Sequence, residues 1–95
     1  MAEIILSATQ ANSEVLGSEY AGTYEMVCLV HTGEDVNLQI RDPNYSENWI
    51  DLRDNGQNRR FQRAGDYLEF TLAQGFEYRF HTDAAGAVIA IDRIG

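Results

Sequence analysis

The amino-acid sequence predicts an all-β domain, an antiparallel β-sandwich or small β-barrel of about seven strands. Three observations carry that expectation. Apolar and polar side chains alternate over several short stretches, the period of a half-buried strand. Turn-forming residues separate those stretches at roughly eight- to twelve-residue intervals. No stretch holds the 3.6-residue apolar period of an amphipathic helix.

The elements follow in order. "EIILSAT" (3–9) is a short apolar run bounded by polar residues and reads as a strand. "QANSEVLGSEYAG" (10–22) has no sustained period. It reads mostly as loop, with residues 1–22 forming an irregular N-terminal arm and one helical turn over Ser13–Leu16, where a capping Ser precedes a terminating Gly. "TYEMVCLVHT" (23–32) is apolar in both phases, as is "AVIAIDRIG" (87–95). Strands of that kind are buried on both faces or lie at an interface.

Between them, "DVNLQIRD" (35–42) sends Val36, Leu38 and Ile40 one way and Asn37, Gln39 and Arg41 the other. "DPNYSEN" (42–48) holds the single proline and is a loop. "WIDLRD" (49–54) is a strand with Trp49 out of phase with Ile50 and Leu52. "DNGQ" (54–57) is a hairpin turn, because Asn-Gly tolerates the positive φ that two-residue loops demand. "YLEFTLAQG" and "FEYRFHTD" complete the alternating set, with "DAAG" (83–86) turning into the last strand. The expected core is Val36, Leu38, Ile40, Leu52, Leu68, Phe70, Leu72, Phe76, Tyr78, Phe80 and Ile89.

The 95 residues are the size of one domain, 1–95. A chain this short buries a modest core, so association with copies of itself or a larger body is a natural source of further stability. No apolar run approaches membrane-spanning length, and the opening "MAEIILSATQ" lacks the basic residues of a secretory signal, which predicts an intracellular product. The net charge is −8 and all seven basic residues are arginine. That balance predicts no direct contact with nucleic acid or an anionic membrane. Arginine's planar fork suits interfaces, although an arginine-biased codon usage gives the same composition.

Candidate chemistry is sparse. Cys28 is one thiol inside a strand, the pattern of a buried core cysteine. His31 and His81 end strands and have no cysteine cluster beside them, so they lack a zinc spacing. Asp42, Asn44 and Glu47 offer oxygens to a hard cation but lack the spacing of an EF-hand loop. Ser7, Ser13, Ser18 and Ser46 stand in no nucleophile motif. No catalytic residue, cofactor or metal is therefore expected. Trp49 with Tyr45, Tyr67 and Arg53 could form an aromatic platform for a sugar; packing in the fold or at an interface is the plainer role. Arg59, Arg60 and Arg63 are the densest basic feature, either a solvated loop or a partner for a neighbour's carboxylates. Trp49, Arg59, Arg60 and Arg63 are the expected interface residues.

The order "WIDL" (49–52), Asn55–Gly56, "F-x-x-x-G-x-Y" (61–67), "L-x-x-G-x-x-Y-R" (72–79) and "TDAAGAVI" (82–89) resembles the small structural proteins of tailed-bacteriophage virions. The resemblance covers roughly the C-terminal half. It implies a β-sandwich that decorates a capsid or forms part of a fibre or knob, frequently as a trimer, with no catalytic residues. The partners it implies are capsid or other virion proteins, the location the virion, and the site of synthesis the bacterial cytoplasm. Two other readings compete: a carbohydrate-binding fibre or tail module, and a small acidic inhibitor of a host nucleic-acid-binding enzyme. The second requires acids gathered on one face, whereas along the sequence they are scattered among arginines.

Overall fold

A computed structural model describes residues 3–54 and 56–95. The chain is all-β, built from antiparallel sheets, as the alternation predicts. Ten strands occur among the described residues: β1 (Glu3–Leu6), β2 (Gly22–Val30), β3 (Val36–Arg41), β4 (Ile50–Asp51), β5 (Arg53–Asp54), β6 (Gln57–Asn58), β7 (Arg60–Phe61), β8 (Tyr67–Leu72), β9 (Glu77–Thr82) and β10 (Val88–Arg93).

Sheet A has the order β1-β10-β2-β8. Sheet B is centred on β3, which pairs with β9 on one edge. Its other edge takes β4 opposite Gln39 and Ile40, and β7 opposite Val36 and Asn37. Between those contacts the chain leaves sheet B as the β5–β6 hairpin, where Asp54 pairs with Gln57 and Gly56 adopts φ 78°. Asn55, the other half of the expected Asn-Gly turn, lies outside the described residues. Leu38 anchors the departure: its amide donates to the Arg59 carbonyl, and its carbonyl accepts from Leu52.

The facing sides of the two sheets supply the core. Tyr24, Met26, Cys28, Leu68, Leu72, Ile89 and Ile91 come from sheet A, and Val36, Leu38, Phe61, Tyr78 and Phe80 from sheet B. Phe61 and Phe80 stack with ring centroids 5.3 Å apart. Of the expected core, Ile40 and Phe70 are only partly buried, and Phe76 is exposed. Phe76 keeps the inward phase of Tyr78 and Phe80, but it precedes Glu77, the first paired residue of β9, so among the described residues no strand partner lies opposite it. Cys28 is wholly buried, and burial, reinforced by the charge of Asp66, pushes its thiol pKa up.

The N-terminal segment is irregular over much of its length yet belongs to both sheets. β1 pairs with β10 at the edge of sheet A, with a bulge between Ile4 and Leu6. The chain then crosses to sheet B, where Asn12 bridges His81 and Leu16 bridges Tyr78. The helical turn expected over Ser13–Leu16 is absent, because those residues are extended along β9; a 3-10 turn forms instead at Ser18–Tyr20. Leu16 is fully buried.

Candidate functional site

The outer face of sheet B is a polar lattice. Arg79 donates to Gln39 at 2.8 Å, and Gln39 donates to Asp51 at 3.0 Å. Arg41 pairs with Glu77 at 2.7 Å. Trp49 lies on this lattice, its ring centroid 4.4 Å from the Arg41 guanidinium carbon and 4.6 Å from that of Arg79. Such contacts contribute roughly 0.5–2 kcal/mol each. Burial, and then the like charge of Arg41, lowers the Arg79 pKa. The structure therefore makes Trp49 a packed, half-buried side chain.

The expected arginine cluster does not converge. Arg59 turns to Asp54, 2.5 Å away, and Arg60 lies 3.4 Å from Asp35. Arg63 is exposed in a turn whose amides are capped by the Asp66 carboxylate. Arg59 and Arg60 thus meet carboxylates of their own chain. The aromatic platform does not assemble either. Trp49 lies on sheet B, Tyr67 on the outer face of sheet A, and Tyr45 beside Phe76 in a groove.

The histidines and Ser13 are occupied structurally. His31 contacts the Phe61 carbonyl and accepts from the Gly33 amide, while His81 contacts Asn12 and Asp83. Ser13 accepts from the Phe80 amide and donates to the Glu14 carbonyl. Among the described residues, no group of three or more His, Cys, Asp or Glu side chains is placed to hold a metal ion.

The outer face of sheet A is organised in rows by strand register. One row is apolar: Ile4, Ala90, Val27 and Tyr67 lie side by side across all four strands. The next row places Asp92 opposite Glu25, and Glu25 opposite Glu69. Like charges directly opposite across a ladder are destabilising. These acids look scattered in the sequence and are aligned by pairing. Partial desolvation and a hydrogen bond to Glu25 push the Tyr67 phenol pKa up.

The two long sides of the sandwich are finished differently. On one, residues 11–16 cover the outer edge of β9. Thr82 donates to the Ala11 carbonyl, Phe80 to the Ser13 hydroxyl, and Tyr78 to the Leu16 carbonyl; Ser13 and Leu16 donate back to Phe80 and Tyr78. On the other side, β8 ends sheet A, and among the described residues no strand pairs with its outer edge. The Cys28 amide donates to Asp66 in the β2–β8 register, so the alternation of antiparallel pairs turns Leu68, Phe70 and Leu72 toward β2. The amides and carbonyls of Tyr67, Glu69 and Thr71 then point away from the sheet.

Beside that edge runs a groove of about 580 Å³, with Ile50–Asp54 along one wall and Phe70, Thr71 and Ala73 along the other. Ile40, Leu52 and Tyr78 also line it. It adjoins a second groove of about 380 Å³, which shares Ile40 and Ile50 and adds Tyr45 and Phe76. Ile50 is 63% exposed and Tyr45 90% exposed. Sequence reading missed this side, because alternation identifies a strand's inward phase but does not say which strand ends a sheet.

No protein family, curated protein or solved structure matches the chain.

Proposed function

We propose that the chain is a structural protein of a tailed-phage particle, a β-sandwich seated by non-covalent contacts on a larger protein shell. The resemblance over residues 49–89 supplies the kind of particle. The observation that carries the docking role is the open side, where apolar side chains and an unpaired strand edge lie together on a small domain. Monomeric soluble proteins seldom leave such surfaces contiguous, and those that do generally use them for binding. The apolar row on sheet A adds a second surface, available for contact with further copies in a homo-oligomer, trimeric if the resemblance extends so far.

Mass spectrometry of purified particles tests this reading. Stoichiometric abundance alongside the shell protein supports decoration, and a few copies per particle would move the chain to the tail or fibre. Its absence from particles would overturn the proposal. Sedimentation of the isolated chain tests self-association separately: a strict monomer at high micromolar concentration would remove the homo-oligomer.

A further inference from the structure

We infer that the outer edge of β8 receives an extended segment of a partner protein as an added strand, and that this segment alternates apolar residues with basic ones. The inference deepens the docking reading and rests on it only for the identity of the body that supplies the segment.

The backbone sets the first requirement. The outward N–H and C=O groups of Tyr67, Glu69 and Thr71 repeat at the spacing of a strand, and another strand satisfies them in register. β8 is also the edge least protected against such pairing. The β1 edge carries a bulge, the β9 edge is occupied by residues 11–16, and the far edge of sheet B is broken into two-residue pieces. β8 runs for six residues in unbroken register with β2, and it holds neither proline nor lysine, the usual devices for blunting an edge.

Side-chain phase sets the second requirement. Residues of the added strand opposite Leu68, Phe70 and Leu72 would face the groove lined by Ile40, Leu52 and Tyr78, which calls for apolar side chains. Residues in the other phase would extend the rows on the outer face of sheet A. The position opposite Glu69 continues the row Asp92, Glu25, Glu69, so a basic side chain there gives the like-charge row an opposite charge at its open end. On the facing wall Asp51 already accepts from Gln39 and Asp54 pairs with Arg59, so the preference for a base comes from the Glu69 row.

A second copy of the chain meets this chemistry less well. Pairing β8 with itself about Glu69 sets two carboxylates opposite each other. Pairing about Phe70 avoids that clash but still brings together two chains of net charge −8.

The test uses the whole chain and a short blocked peptide of alternating valine and arginine, read by amide hydrogen exchange. The expected result is saturable slowing of exchange, by about tenfold or more, at Tyr67, Glu69 and Thr71. A peptide alternating valine and glutamate should give none. Thr71→Pro removes one outward amide at a position where the internal ladder does not use it, and should abolish the slowing. Thr71→Val keeps that amide and should preserve the response. Lack of slowing with the valine–arginine peptide, or equal slowing with both peptides, would overturn the inference. So would protection of the same amides that rises with protein concentration and needs no peptide, because the occupant would then be a second copy. Particle composition bears on none of these outcomes, so failure here and failure of the virion reading remain distinguishable.

Discussion

At the outer edge of β9, Ala11, Ser13 and Leu16 accept or return the hydrogen bonds of Tyr78, Phe80 and Thr82, and a hydroxyl stands in where no carbonyl reaches. At the outer edge of β8, the same kind of alternating strand ends against a groove. Both strands have six residues, and both send aromatic or aliphatic side chains inward. The difference lies in what the chain does next to them. An irregular segment finishes one side of the sandwich, and on the other the hairpin leaves sheet B without closing over β8. Stability should therefore concentrate on the β9 side and binding on the β8 side.

The largest effect should come from the covered side. Leu16 is fully buried where the N-terminal segment meets the core, and Leu16→Ala should cost about 2–5 kcal/mol by denaturant titration. A loss below about 1 kcal/mol would mean that the segment merely rests on β9. Ser13→Ala comes next. It removes the acceptor of the buried Phe80 amide and should cost about 1–3 kcal/mol, whereas Ser7→Ala, which removes a half-buried hydroxyl bonded to the Gln10 side chain, should cost less, about 0.5 kcal/mol.

A pH effect belongs to the same side. The Tyr20 hydroxyl has one proton for two carboxylates, Glu14 at 2.9 Å and Glu3 at 3.1 Å. The bond to Glu14, then desolvation, then the bond to Glu3 raise its pKa well above the ordinary 10.0. The folded state therefore holds the phenolic proton more tightly than the unfolded state does. That contribution is fully present below about pH 10 and is lost as pH rises from there through the folded-state pKa. The slope of stability with pH above 10 should flatten in Tyr20→Phe; an unchanged slope would remove the tie.

The smallest effect should fall on the open side. Thr71→Val and Ile50→Ser change exposed positions, and each should shift stability by about 0.5 kcal/mol or less. A cost above about 2 kcal/mol at Ile50 would show that the groove is part of the core rather than a surface. Cys28 marks the interior between the two sides. Its thiol should resist a disulfide reagent in the native chain and react at the rate of unfolding, because it is fully buried and its pKa is raised.

Much of the fold was legible because a strand's inward phase is a local property. Val36, Leu38, Leu68, Leu72, Tyr78, Phe80 and Ile89 alternate in the sequence and are buried in the structure. Phe76 has the right phase and lies past the end of pairing, a distinction that alternation alone does not carry. Ser13 resembles any loop serine until β9 is beside it. The row Asp92, Glu25, Glu69 exists only through register between strands distant in sequence. The expectation for Arg59 and Arg60 ran the other way: sequence proximity suggested one basic patch, and nearby Asp54 and Asp35 divide it.

Amide hydrogen exchange in the dilute, isolated chain tests the contrast between the two edges most directly. The Tyr78, Phe80 and Thr82 amides should exchange only through large-scale opening, while those of Tyr67, Glu69 and Thr71 should exchange close to the rate of an unprotected strand edge. Comparable protection at both edges, independent of protein concentration, would contradict the account, because something within the chain would then already cover β8.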